Sequence, residues 1–198
     1  MRVYDFDNTI YNGESVVDFF MFLLNKEKKL FVFLPIVSYI AVLYKTGKLD
    51  TKQVYQLANN YSDVVKKYQD VADKYIEEFW EENIHKLKKG FLEHITPDDI
   101  IITASPNILI QKIQPYLKTK RIICTDYDLE NGKLNFLCLG KNKVDALKKQ
   151  YPDITINEFY TDSLNDMPLI DISKTAYLVA GNKMFPINPK HKSKIERK

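Results

Sequence analysis

The chain has 198 residues, 45% hydrophobic and 28% charged, with 29 Lys and Arg set against 26 Asp and Glu. That balance, with 6 Gly, 8 Pro and 2 Cys, excludes a disordered, collagen-like or disulfide-built protein and leaves one globular core with room for a small accessory lobe. The formal charge of +3 is almost all lysine, since Arg2, Arg121 and Arg197 are the only arginines, and so mild an excess does not point to nucleic acid.

The opening MRVYDF is short, rich in strand formers and followed by the turn-prone DNT and YNG, which reads as a buried strand running into a loop. Asp5 and Asp7 in this opening argue against a signal peptide, so the expected location is the cytoplasm. From Glu14 to about Lys89 apolar residues recur every three or four positions, the period of amphipathic helices, with Gly47 and Gly90 as natural helix stops and Asp50-Thr51 as a restart. Within this stretch Leu30 to Tyr44 is uncharged over fifteen residues. A spanning helix needs about 20, and Pro35 interrupts the run, so a membrane span is not expected.

After Gly90 strands and helices alternate. Strands are expected at 99–105, 121–126, 156–162 and 175–181, with helices near 107–118 and 142–150 and a hairpin about Asn131-Gly132. The alternation implies an α/β fold with a mainly parallel sheet. The final NPKHKSKIERK has no apolar period and reads as a solvated tail. Cys124 and Cys138 form no CxxC or Cys/His cluster and read as buried thiols in a reducing compartment.

Three segments place oxygen-bearing residues at the carboxyl ends of expected strands: Asp5 to Thr9, Thr103 to Ser105, and Asp162 to Asp166. Residues two apart in a strand share a face, which allows Asp5 and Asp7 to serve one site, with a further carboxylate arriving from a neighbouring strand. Clustered carboxylates repel one another unless a cation compensates, and Mg²⁺ accepts one or two of them together with water and phosphate oxygens. Lys143, at the start of the KVDALKK helix, offers an ammonium for a phosphate. Lys141, two residues away, is its rival.

In order and spacing these residues resemble the four motifs of the haloacid dehalogenase (HAD) superfamily of phosphohydrolases. DFDNT is similar to the first motif, Thr103 in IIITAS to the second, Lys143 to the third, and Asp162 with Asp166 in TDSLND to the fourth, where Thr161 stands in place of the usual glycine. The resemblance implies a Rossmann-like core over 1–11 and 91–198 and an inserted all-helical cap over 12–90. It implies Asp5 as nucleophile, Asp7 as acid/base, and Mg²⁺ held by Asp5, the carbonyl of Asp7 and Asp162. Thr9, Glu14, Thr103, Ala104, Lys143 and Asn165 would bind substrate, supported by Asp166. The implied activity is hydrolysis of a phosphomonoester through an aspartyl-phosphate. Phosphoryl transfer to another hydroxyl is one alternative, and a catalytically idle binding or membrane-associated protein is another.

The helical cap resembles the phosphoserine phosphatase-like branch, whose members use a cap arginine for the substrate carboxylate; no arginine occurs from residue 3 to 120, which counts against phosphoserine itself. The LP-containing cap segment, ITASP, CLGKNKV and TDSLNDMPLI are similar to the phosphatidylglycerophosphatase C type of HAD enzyme. That likeness implies a lipid phosphate as substrate, with the 30–44 run and Lys26, Lys28, Lys29, Lys45, Lys48 and Lys52 meeting the inner membrane surface. A small soluble phosphorylated metabolite remains the alternative substrate. A buried cap helix or a dimer contact accounts for the run equally well, so the chain is expected to be a monomer or a dimer. Trp80 and the aromatics of 55–80 read as cap core, Glu14 also suits the first turn of a helix, and His85, His94 and His191 receive no catalytic role.

Overall fold

The computed structural model describes residues 1–46, 48 and 50–187; the expected stop at Gly47, the Lys45 side chain and the tail with His191 lie outside the described residues. Seven strands form one sheet: β1 (Arg2–Tyr4), β2 (Ile100–Pro106), β3 (Ile122–Asp128), β4 (Lys133–Phe136), β5 (Ile156–Thr161), β6 (Ser173–Ala180) and β7 (Lys183–Ile187). Their order is β4-β3-β2-β1-β5-β6-β7, parallel from β3 to β6 and antiparallel at both edges. The chain winds outward from β1 to β2 and β3, then crosses to β5 on the other flank of β1. Open α/β sheets bind ligands beyond the carboxyl ends of the strands at such a reversal.

Alternation along the strands builds two cores. Val3, Ile100, Ile102 and Phe159 pack on one face with Val144 and Leu147 of α8 (Lys141–Gln150) and Leu169 and Ile170 of α9 (Met167–Ile172). Tyr4, Ile101 and Tyr160 face the other side, where α7 (Asn107–Ile113), α6 (Lys89–His94) and the helical insertion cover the sheet. Tyr4, Tyr160 and Tyr177 stack across β1, β5 and β6, with ring centroids 4.7 and 5.0 Å apart.

The insertion comprises α1 (Ser15–Lys26), a 3₁₀ segment (Lys28–Phe33), α2 (Leu34–Lys45), α3 (Thr51–Asn60), α4 (Ser62–Lys67) and α5 (Gln69–Asn83). Asp50 caps α3, its Oδ1 accepting from the N–H of Lys52. Phe19 and Phe22 of α1 pack on Phe79 of α5, at centroid distances of 5.2 and 5.7 Å. The two connections back to the sheet run side by side: Lys88 N–H donates to Ile10 O at 2.8 Å and Asn12 N–H to Lys86 O at 2.9 Å.

Several expectations need correction. Gly90 does not stop a helix but lies inside α6, because the paired connections at 10–12 and 86–88 break the helical run instead. α7 ends at Ile113, since Pro115 has no N–H to continue the ladder and the chain tightens into a 3₁₀ turn. β7 was not foreseen; Gly181, at φ 60°, turns the chain into an edge strand that tolerates Pro186. Trp80 is not confined to the insertion: its Nε1–H donates to Leu109 O of α7 at 2.9 Å. The uncharged run divides between the 3₁₀ segment and α2. Leu30 is buried and Ile36, Val37 and Ile40 turn inward, whereas Phe31, Val32, Tyr39 and Val42 are 52–71% exposed. Among the described residues no helix is long and apolar enough to cross a membrane.

Candidate active site

β1 ends at Tyr4, so Asp5 and Asp7 stand in the loop beyond it, and strand alternation is not what brings them together. The loop does so by closing on itself. Ile10 and Tyr11 N–H both donate to Phe6 O, Asn8 N–H donates to Gly13 O, and Asn8 adopts φ 55°, a left-handed conformation that asparagine tolerates. Asp5 N–H extends the pairing with β5 by donating to Tyr160 O at 2.8 Å. The central strands β2, β1 and β5 therefore deliver Thr103 to Ser105, Asp5 to Thr9 and Asp162 to one end of the sheet.

Lys143 rises from the first turn of α8 into this end of the sheet. It is fully buried, and its Nζ lies 2.8 Å from Asp5 Oδ1 and 2.8 Å from Asp166 Oδ1. Thr161 Oγ1 donates to Asp166 Oδ2 at 2.9 Å, which occupies the position where glycine was expected with a hydroxyl that holds the carboxylate. Lys141 is exposed and points away from the carboxylates, a half-turn of helix being enough to separate the two lysines.

Asp7 faces a different set of groups. Ser15 N–H, the first of α1, donates to its Oδ1 at 2.7 Å, and Ser105 Oγ donates to its Oδ2 at 2.6 Å. The two serine hydroxyls also lie 2.7 Å apart. Thr103 is buried, with Oγ1 accepting from Ser105 N–H at 3.0 Å. Ala104 is half-buried, and its carbonyl accepts from Thr125 Oγ1. Thr9 is fully buried and its hydroxyl has no hydrogen-bond partner. Asn8 Nδ2 donates to Glu14 Oε1 at 2.8 Å, and Asn165 is fixed through its N–H to Ser163 Oγ.

Burial pushes the carboxyl groups of Asp5, Asp7 and Asp162 above their ordinary range. Lys143 pulls Asp5 the other way, the serine donors pull Asp7 the other way, and the like charge of Asp166 adds to the rise at Asp162. Carboxylates held in such mutual repulsion are stabilised by a cation. Among the described residues no three His, Cys, Asp or Glu side chains gather as an all-side-chain metal site. The two carboxylates of Asp5 and Asp162 instead suit Mg²⁺, which takes one or two carboxylates and completes its shell with other oxygens, water and phosphate among them.

Ser15 and Lys88 were not singled out in the sequence, and Ser105 stood there only as the end of the Thr103 segment, with no role on Asp7. Lys88 is buried where the second connection meets α6, and its Nζ donates to Asn8 O and, at 2.8 Å, to Gly181 O, tying the Asp7 loop to the end of β6. Only Ser105 carried a signal, as the residue two beyond Thr103 at a strand's carboxyl end. Beside Asp7, Glu14 and Ser105 opens a cavity of about 310 Å³, whose other walls are mostly apolar, among them Val17, Val37 and Leu137.

A mainly parallel, doubly wound sheet with a helical insertion after β1 and a lysine-bridged carboxylate cluster at its reversal defines a Rossmann-like hydrolase fold. The family model for haloacid dehalogenase-like hydrolases matches residues 3–171, and the chain belongs to that family. Similar solved structures include a protein of unknown function from Bordetella pertussis Tohama I, with a TM-score of 0.65 and 17% identity over 89% of this chain and 87% of that one. A phosphoserine phosphohydrolase-like protein from Francisella tularensis subsp. tularensis SCHU S4 has a TM-score of 0.62 and 19% identity over 99% and 92%. A phospho-aspartyl intermediate analogue of phosphoserine phosphatase has a TM-score of 0.51 and 18% identity over 88% and 83%. No curated protein matches the chain.

Proposed function

We propose that this chain is a Mg²⁺-dependent phosphomonoester hydrolase working through an aspartyl-phosphate on Asp5. The observation that carries the reading is the buried contact of Lys143 with both Asp5 and Asp166 at the carboxyl ends of β1 and β5. Asp5 Oδ attacks phosphorus in line as the ester P–O bond breaks, and Asp7 gives its proton to the departing alkoxide. Water then attacks the acyl phosphate, Asp7 takes a proton from it, and inorganic phosphate leaves with Asp5 restored. The raised pKa of Asp7 suits a group that must begin the cycle protonated. Thr103 and Lys143 orient the phosphoryl oxygens, and Asn165 with Asp166 steadies the surrounding carboxylates. Asp5, Asp162 and the main-chain carbonyl of Asp7 would hold Mg²⁺, which would supply positive charge against the phosphate dianion. That a phosphoserine phosphatase of the same fold is known as a phospho-aspartyl analogue supports the covalent route.

The reading of the substrate is an ester with an apolar organic part, a lipid phosphate included. The apolar walls beside Asp7 and the absence of arginine from residue 3 to 120 support this over phosphoserine. Exposed Phe31, Val32, Tyr39 and Val42, close in sequence to exposed Lys28 and Lys29, support a peripheral contact with an anionic bilayer. The test is phosphate release from p-nitrophenyl phosphate with Mg²⁺. Turnover should stop on chelation, return when Mg²⁺ is restored, and be absent in Asp5→Asn. Unchanged turnover in Asp5→Asn removes the nucleophile assignment.

A further inference from the structure

The cavity beside Asp7 does not end there. Val37, Ile40, Val54, Ala58, Pro106 and Tyr127 line both it and a second cavity of about 460 Å³ between the helical insertion and the sheet, where Ile108 and Leu129 also face it. On the insertion side the second cavity is walled by α1, the 3₁₀ segment, α2, α3 and α5 through side chains such as Phe20, Leu30, Phe33 and Val71, and among the described residues no charged one lines it. Together they form an apolar passage in which, among the described residues, the only carboxylates, Asp7 and Glu14, stand at the phosphoryl end.

Ligand clefts of about 300–1,000 Å³ are typically lined by apolar side chains with a few placed polar groups. Both cavities open to solvent, and an apolar lining whose carboxylates gather at one end suits a ligand that is apolar away from its phosphate. A hydroxylated alcohol would leave its polar groups unpaired along these walls, which costs binding.

Resting on the phosphatase reading above, we propose that the substrate's alcohol is a hydrocarbon chain without polar groups, laid from Asp7 through the shared neck at Val37 and Ala58 into the cavity between the insertion and the sheet. The insertion then measures chain length as well as covering the site.

The test is kcat/KM for n-alkyl monophosphates from ethyl to hexadecyl, each below its critical micelle concentration, with p-nitrophenyl phosphate alongside. Each added methylene should raise kcat/KM about fourfold until the passage is full, after which the profile levels. Ala58→Trp, which fills the neck, should move the levelling point to shorter chains. Val37→Phe is the second variant, used if circular dichroism shows Ala58→Trp unfolded. A flat profile with p-nitrophenyl phosphate still hydrolysed overturns the proposal alone. So does a profile rising without limit, the mark of surface adsorption, or a neck variant that scales all chain lengths equally. If no phosphate ester is hydrolysed, the phosphatase reading itself fails.

Discussion

Asp7 accepts hydrogen bonds on both oxygens from groups with different structural origins, one at the start of α1 and one at the end of β2. A proton-transferring carboxyl held this way has its orientation fixed by the sheet and the insertion together. Ser105→Ala should lower kcat for an alkyl phosphate about tenfold, a fraction of the 10²–10⁴ that general acid catalysis supplies. For p-nitrophenyl phosphate, whose leaving group needs no proton, the loss should be much smaller. Equal losses on the two substrates would show that Ser105 only supports the fold. The cysteines contrast with this reactive end of the sheet. Burial pushes the Cys124 thiol up to about 11 and that of Cys138 to about 12, so little thiolate exists at neutral pH. Alkylation of the native protein at pH 8 should run about two orders of magnitude slower than that of a free thiol, and rapid modification would contradict their placement.

The insertion and the sheet meet through elements that interlock. Leu137 N–H, just beyond β4, donates to Tyr55 Oη on α3 at 3.1 Å, and Trp80 on α5 binds the carbonyl of Leu109 on α7. The turn between β3 and β4 fits beneath α4 because Gly132 has no side chain: its φ is 61°, and a Cβ there would stand 2.6 Å from Ser62 O. Gly132→Ala combines backbone strain with that clash and should cost about 1–3 kcal/mol, lowering the unfolding midpoint by several degrees. Thermal denaturation measures it, and an unchanged midpoint would mean that the hairpin and α4 do not pack as described. The Asn-Gly pair made this hairpin legible, whereas its contact with α4 joins segments about 70 residues apart that share no local pattern.

Across the molecule the two connections of the insertion, the aromatic face of the sheet and α5 belong to one continuous core that includes Tyr4, Phe6, Phe79 and Trp80. The insertion is therefore anchored to the sheet near its roots. At the opposite end of β1, Arg2 makes a two-pronged contact with Asp99 at 2.8 and 3.1 Å. Burial by itself pushes the Asp99 carboxyl up, but Arg2 and the N–H and hydroxyl of Thr96 outweigh it and hold the group below its ordinary range. Because the folded pKa lies below the unfolded one, the associated stability is complete above the unfolded value and fades as pH falls through the folded one. Asp99→Asn should cost about 1–2 kcal/mol at pH 7, and the gap from wild type should narrow below about pH 4. A gap independent of pH in urea titrations would assign the loss to packing instead of charge.

Local patterning was sufficient for the α/β class, the helical insertion after the first strand, the hairpin and most strand positions, because side-chain periods of two and 3.6 residues are written in consecutive residues. It also marked Asp5, Asp7, Thr103, Lys143, Asp162 and Asp166, since chemistry at the carboxyl ends of strands draws on few residue types. It favoured Lys143 over its rival Lys141 from position at the helix start alone, whereas in the fold burial against Asp5 distinguishes Lys143 from the exposed Lys141. Nor did it reveal the serines on Asp7, the anchoring of Lys88 or the passage between the insertion and the sheet. Ser105, Lys88 and the passage join segments tens of residues apart, and Ser15 meets Asp7 because the loop between them folds back on itself, so these pairings come into being only when helices, loop and sheet pack in three dimensions.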